Sequence, residues 1–419
     1  MITTTSQAKE LLGQIRGNGY RDDFELTFIM TTECNFRCTY CYETKYASSI
    51  NLEDAYSLID KLLNITDNEK WWNTYLKNCK EKKAIRFNFF GGECLLEADK
   101  MTKICDYFKK QCELLGRDNL LEQWKIVIQT NGYLLQTTKV KKFLDKYRQY
   151  LDSPFITIDG CKEFHDACRV LKDGKPTYDV VKENLLWFRK TYPEKLISTK
   201  GTITPLTISH LYESYLAYKE LGFTSITITL VSDQEWPESC LKIAKEQYAL
   251  ILQDLLKEEN KDIRFARWTD YRKNYINGTF RHSMPYGLCH SSGSGITLYP
   301  NGNLYPCFAY TPLVMSSVNT NDYYIGTMKD GILTEKLDFI KQLESFCDKK
   351  LIENKDCQVC LYKQHCDYCP AANLKWNKDT DVDSKYACEV TKIEQAYGSA
   401  YRYLWEKKYG KEPYWYFNN

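Results

Sequence analysis

CNFRCTYC, residues 34–41, sets three thiols, Cys34, Cys38 and Cys41, in one short loop. Ahead of it runs FELTFIM (Phe24 to Met30), aromatic and aliphatic residues that read as a buried strand. The thiols therefore sit where a strand ends, the edge at which parallel α/β folds keep their chemistry. Three thiolates at C-x3-C-x2-C spacing do not complete a tetrahedral structural zinc site unless a fourth ligand arrives from elsewhere. They can hold three irons of a four-iron cluster and leave the fourth open.

Composition narrows the context. At 419 residues the chain is long enough for a barrel-sized domain and a smaller one. A net charge of +2 argues against a nucleic-acid binder that relies on a strongly basic face. The first twenty residues mix in Lys9, Glu10 and Arg16 and lack the apolar centre of a secretory signal. No apolar run reaches the length of a membrane span, so a cytoplasmic chain is expected. Eighteen cysteines, some in tight C-x2-C groups, read in a chain of this size as cluster or metal ligands and not as a disulfide scaffold.

Beyond the thiol loop the chain alternates. NLEDAYSLIDKLL (51–63) has helical spacing at Leu52, Ala55, Leu58, Ile59 and Leu62, and residues 65–82, with Trp71 and Trp72, read as an insertion. AIRFNFF (84–90) is a predicted strand breaking at GGEC (91–94), followed by a helix over 98–115 that Gly116 closes. WKIVIQ (124–129) ends in TNG (130–132), and PFITI (154–158) ends in DGC (159–161). LISTKGTI (196–203) and SITITL (225–230) are the fifth and sixth strands, with helices expected up to Tyr147, over 178–190, over 209–221 and over 237–258. Such alternation implies βαβ units, a parallel sheet, and a partial (β/α)6 TIM-like barrel whose mouth gathers GGE, TNG and DG beside the thiols.

C-x3-C-x2-C with Tyr40 just before its last cysteine resembles the radical S-adenosylmethionine (SAM) superfamily. The resemblance implies that a [4Fe-4S] cluster on Cys34, Cys38 and Cys41 chelates SAM at its open iron and cleaves it reductively. The resulting 5'-deoxyadenosyl radical abstracts hydrogen from a substrate. It also implies roles for the strand ends. Gly91, Gly92 and Glu93 would meet the SAM amino group, the glycines allowing close backbone approach and the carboxylate accepting from an ammonium. Asn131, Thr157 and Asp159 would lie near the SAM ribose and carboxylate, with Arg169 a bidentate carboxylate partner and Tyr40 and Leu230 against adenine. Taken singly, GGE and TNG are turns, and the HD pair at 165–166 a helix cap. Cys94 and Cys161 stand where the family often has proline; each is read as a small buried residue, as are Cys79, Cys105, Cys112, Cys168 and Cys240.

A second cysteine field begins with CHSSGSGITLYPNGNLYPC (289–307), where ITLYP and LYP predict a hairpin turned at Asn301-Gly302 that brings Cys289 near Cys307. CQVCLYKQHCDYCP (357–370) adds Cys357, Cys360, Cys366 and Cys369, and Cys388 follows. Five residues between the two C-x2-C pairs are too few for a zinc ribbon, whereas Cys369-Pro370 has the form of a two-cluster ferredoxin. The set resembles the SPASM extension of peptide- and protein-modifying radical SAM enzymes, with a step to Cys369 one residue shorter than that pattern. By that resemblance Cys357, Cys360, Cys366 and Cys388 hold one auxiliary cluster. Cys289, Cys307 and Cys369 hold another, whose fourth place is open or filled by Cys347.

The expected organisation is an N-terminal segment (1–23), the barrel (24–235), a bridge (236–288), the SPASM domain (289–390) and a C-terminal helix with an aromatic tail (391–419). No separate leader-binding domain is expected ahead of residue 24. The aromatic tail reads first as packing. The expected function is a radical SAM/SPASM maturase with three [4Fe-4S] clusters, an external donor such as flavodoxin or ferredoxin, and a peptide or small protein substrate. Its reaction is expected to be oxidative formation of a thioether or carbon-carbon crosslink. Formylglycine formation on a sulfatase is the alternative, although that family usually has an aspartate base after the second SPASM cysteine and this chain has Phe308. Peptide epimerisation would give Cys94 or Cys161 a role as hydrogen donor. A non-catalytic iron-sulfur electron carrier explains the ten cysteines but leaves GGE, TNG and DG without purpose.

Overall fold

The computed structural model describes residues 23–63, 84–152, 154–195, 197–231, 234–269, 275–276, 279–280, 295–315, 323–336, 356, 359–362, 369–377 and 385–410. All but the last residue of the N-terminal segment expected at 1–23, the insertion at 65–82, Cys79, Cys289, Cys347, Cys357, Cys366 and the last aromatics (Tyr414 to Phe417) lie outside them.

Strands β1 (Asp23–Thr31), β2 (Ala84–Gly91), β3 (Lys125–Thr130) and β4 (Phe155–Ile156) pair side by side and parallel. The fifth strand is interrupted at Lys200 into β5 (Ser198–Thr199) and β6 (Gly201–Ile203). The sixth is interrupted at Thr227 into β7 (Ser225–Ile226) and β8 (Ile228–Leu230). β5 pairs with β4 and β6 with β8, both parallel, so the partial barrel runs on past these breaks. A further parallel pair joins β7 to β9 (Arg264–Phe265). A small antiparallel pair, β10 (Tyr275–Ile276) with β11 (Thr279–Phe280), stands apart.

Helices fill the return paths: α1 (Leu52–Leu63), α2 (Ala98–Leu114), α3 (Asp118–Glu122), α4 (Thr138–Lys146), α5 (Lys162–Cys168), α6 (Tyr178–Thr191), α7 (Leu211–Glu220) and α8 (Glu238–Leu255). α1 buries Ala55, Leu58, Ile59, Leu62 and Leu63, the stripe that its spacing predicts. α2 ends in a Schellman cap, with Arg117 N donating to Cys112 O (2.8 Å) and Gly116 N to Glu113 O (3.3 Å). The core under β1 to β3 is aromatic: Phe87 meets Phe28, Phe108 and Trp124 at centroid distances of 5.2, 4.8 and 5.3 Å.

The hairpin of the second cysteine field continues the barrel sheet. β12 (Gly295–Leu298) lies parallel to β1 with Glu25 opposite Gly295 and Phe28 opposite Leu298, and β13 (Asn303–Tyr305), β14 (Gly326–Thr327) and β15 (Gly331–Ile332) follow antiparallel. Among the described residues nine strands thus share one sheet. The hairpin does not turn on two residues. Tyr299 N donates to Asn303 O (3.0 Å) and Gly302 N to Tyr299 O (2.9 Å), leaving Pro300, Asn301 and Gly302 as the loop, with Gly302 at φ +84°. A two-residue turn would need Pro300 to donate a backbone N–H, which proline lacks.

Short helices α9 (Ala266–Thr269) and α10 (Pro370–Asn377) precede the long α11 (Lys385–Tyr409). α11 docks through Glu394, 2% exposed, gripped by Arg267 Nε (3.0 Å) and Nη2 (2.7 Å), and through fully buried Tyr401 and Trp405. Packing is therefore the role of these two tail aromatics. Among the described residues no helix is long and apolar enough to cross a membrane.

Truncating Phe87 removes a fully buried ring with four aromatic neighbours, Phe28, Phe89, Phe108 and Trp124. Phe87→Ala is expected to cost about 3–5 kcal/mol, read as a lower urea midpoint with unchanged slope.

Candidate active site at the barrel mouth

The thiol loop leaves β1 and is laid on the segment after α5. Arg37 N donates to Val170 O (2.8 Å), Thr39 N to Cys168 O (2.9 Å) and Lys172 N to Asn35 O (3.2 Å). This presents Cys34 buried, Cys38 half-buried and Cys41 exposed, so the row of thiols runs from wall to solvent. Phe36 N (3.4 Å) and Asn131 Nδ2 (3.8 Å) donate to Cys34 Sγ. Burial, with the charge of Glu93 adding, pushes the Cys34 thiol up to about 12, and burial also raises Cys38. Such thiols keep their protons until a metal displaces them.

GGE approaches the chain itself. A Cβ on Gly91 would lie 2.2 Å from Thr31 O and one on Gly92 2.1 Å from Glu33 O, and Gly91 takes φ +131°. The closeness lets Gly92 N donate to Thr31 O and Glu93 N to Glu33 O, both at 2.9 Å, immediately before Cys34. Glu93, 1% exposed, accepts from Leu95 N (3.1 Å), Thr130 Oγ1 (2.8 Å) and Asn131 N (2.8 Å). Burial raises its pKa against these three donors.

A second cluster closes the other side. Asp159, fully buried, accepts from Tyr40 OH and from Thr202 N (3.2 Å), while Arg169 Nη1 donates to Tyr40 OH (2.8 Å) and stands 3.9 Å from the Asp159 carboxylate. Tyr40 thus reaches across the mouth through its hydroxyl. Thr157 is half-buried with its backbone N–H on Thr130 O, and Leu230 is buried at the end of β8. The structure brings Cys34, Asn131 and Glu93 into one linked group and Tyr40, Asp159 and Arg169 into another.

Sequence reasoning missed several contributors. His165 is buried, accepts from Asp159 N at Nδ1 (3.1 Å) and faces Thr177 Oγ1 through Nε2 (3.0 Å), which fixes the DG turn. Asp166 caps a helix, but the following one, taking Thr177 N and Tyr178 N at α6 (2.8 and 2.9 Å). Asn35 accepts from Asn131 Nδ2 through Oδ1 (2.8 Å). Lys200, at the break between β5 and β6, lies near Asp159, Glu43 and Arg169, and loss of water around its ammonium pushes its pKa down. Only the HD dipeptide was visible beforehand as a signal.

Cys94 is fully buried with its thiol on Gln129 O (3.3 Å), and Cys105 and Cys112 are also fully buried. In the second field Cys307 starts the turn Phe308–Tyr310, and Cys369 O accepts from Asn373 N at the head of α10 (3.0 Å). Both elements pack on one apolar cluster that includes Tyr305, Tyr310, Leu313, Ala371 and Leu374. Phe308 packs against Phe90 with centroids 4.3 Å apart and planes tilted by 36°, and Thr44 N donates to Leu313 O (2.7 Å), so this field abuts the thiol loop. Cys360 and Cys388 are half-buried.

The donor set fits an iron-sulfur cluster with a small polar cofactor beside it. Three thiols share one loop, and two buried donors near them, Asn35 Nδ2 and Arg169 Nε, have no protein partner. Buried donors of this kind call for carboxylate or hydroxyl acceptors.

The family model described as Radical SAM superfamily matches residues 28–207. The serine-type anaerobic sulfatase-maturating enzyme of Bacteroides thetaiotaomicron is 23% identical over 383 residues, 85% of this chain and 84% of the relative. The radical SAM cyclopropyl synthase TigE of Paramaledivibacter caminithermalis is 22% identical over 399 residues, 88% of this chain and 72% of the relative. A solved structure of anSMEcpe with bound AdoMet and a Cp18Cys peptide superposes with a TM-score of 0.66 at 18% identity, covering 90% of this chain and 97% of that one.

His165 has its pKa pushed down to about 3 by burial, with Arg169 adding, against an ordinary value of 6.5. Below pH 6.5 the unfolded chain binds a proton that the fold refuses, so this site's contribution to stability is full above 6.5 and declines toward pH 3. Urea midpoints are expected to fall across that window in the wild type and less steeply in His165→Gln. Gly92→Ala, forced against Glu33 O, is expected to reduce iron incorporation on reconstitution, measured as iron per chain.

Proposed function

This chain is a radical SAM enzyme, and from that premise we propose that it matures a ribosomally made peptide or small protein by oxidatively installing a thioether or carbon-carbon crosslink. Relatives named as sulfatase-maturating and cyclopropyl synthase enzymes, and a structural neighbour holding a peptide, support a peptide or protein substrate. The observation that carries crosslinking over formylglycine formation is Phe308. The position after Cys307 holds a ring packed at a tilt against Phe90, with no carboxylate to serve as base.

Cys34, Cys38 and Cys41 would hold the cluster, with Glu93 accepting the SAM ammonium on its remaining lone pairs. Asn35 Nδ2 and Arg169 Nε would donate to the carboxylate and ribose, beside Asn131, Thr157 and Asp159. Bound cluster and SAM supply a carbon radical able to take a hydrogen atom. Asp159 and Tyr40 hold Arg169 in place for that binding, and Leu230 lines the same mouth. Residues 24–235 would form the barrel and 289–390 the auxiliary-cluster domain, joined by the bridge at 236–288. In that domain Cys357, Cys360, Cys366 and Cys388 would hold one cluster and Cys289, Cys307 and Cys369 another. Clusters held there would supply an electron acceptor and a thiolate-binding iron, and a flavodoxin- or ferredoxin-type donor in the cytoplasm would reduce the enzyme.

Formylglycine formation is the second reading, favoured by the similarity to a sulfatase-maturating enzyme over most of both chains. The test is anaerobic incubation with SAM, reductant and a patterned peptide encoded beside this protein. The expected product has lost two hydrogens and is not captured by a hydrazide; a hydrazide-trapped aldehyde overturns crosslinking. Cys38→Ala is expected to abolish SAM cleavage.

A further inference from the structure

We propose that Cys161, His210 and Glu213 form a divalent transition-metal site, of the zinc class, where the start of α5 meets the start of α7. The reaction proposed above leaves all three unused. One potential ligand atom from each lies within 4.8 Å of the other two. Thiolate, imidazole and carboxylate are the donors that zinc takes, and three protein ligands leave a fourth position for water.

Two packing contacts hold this group together. Gly160 is jammed against α7, since a Cβ there would fall 2.1 Å from Ser214 Oγ. That contact fixes the Cys161 thiol, 8% exposed, relative to Glu213, the residue before Ser214. The His210 ring lies parallel to Phe164, interplanar angle 3° and centroids 5.8 Å apart, which sets its plane. His210 Nδ1 is 2.9 Å from Glu213 Oε2, and the two side chains are 42% and 54% exposed, so an ion can enter from solvent.

A tetrahedral site needs neighbouring ligand atoms roughly 3.3–3.7 Å apart, given bonds of about 2.0–2.3 Å. The exposed imidazole and carboxylate therefore close on a thiol that the fold already fixes. Metal entry displaces the thiol proton to solvent and changes no oxidation state. The ion would tie the start of α7 to the start of α5, two residues from Asp159.

The test uses reconstituted holoenzyme, treated with excess zinc, passed over a weak chelating resin, and counted for zinc by mass spectrometry. Wild type is expected to retain one more zinc per chain than Cys161→Ser or His210→Asn. Zinc is also expected to protect Cys161 from iodoacetamide, read on its own peptide. Equal zinc retention in wild type and variants, or alkylation of Cys161 unchanged by zinc, overturns the site. Should Cys161→Ser not fold, His210→Asn, altered at a half-exposed side chain, carries the comparison. Neither readout depends on turnover, so failure here leaves the proposed reaction standing.

Discussion

The mouth of this barrel depends on a backbone contact between the exits of its first two strands. Gly92 N on Thr31 O and Glu93 N on Glu33 O bind the end of β2 to the residues that lead into Cys34. A side chain at either glycine would part them. With the contact made, Glu93 is delivered to the waiting donors of β3, and the thiol loop starts from a fixed point. The loop's far side is then set by its ladder with residues 168–172, so the two halves of the site are held by main chain while side chains finish it.

Much of this was legible in the sequence because it is carried by short-range pattern. Alternating strands and helices, the stripe on α1 and the cap at Gly116 follow from spacing, and the strand-end motifs follow from where those elements stop. The roles of residues within the mouth were harder. Gly91 and Gly92 mark in the sequence a close backbone approach, and the chain they approach is Thr31 to Glu33. Tyr40 reads in the sequence as an adenine contact, and its hydroxyl is also the link between Arg169 and Asp159. Pairings across 119 or 129 residues leave no periodic trace in the sequence.

Two surprises share a cause. The breaks at Lys200 and Thr227 and the three-residue hairpin loop all reflect backbone geometry that hydropathy does not encode. Pro300 decides the loop through a missing donor, and His165 fixes the DG turn by accepting one. In both cases one ring nitrogen's hydrogen-bonding capacity governs local shape, a detail below the resolution of apolar and polar pattern.

The parallel pairing of β12 with β1 makes the two cysteine fields parts of a single hydrogen-bonded ruler. A slip of one residue along it would turn every side chain of β12 to the opposite face and carry the hairpin, with Cys307 at its foot, by about 3.3 Å. Spacing between the fields is thus graduated in whole residues. Insertions in β12 would be read as misalignment, whereas the same insertion at the Pro300 loop would leave the scale intact.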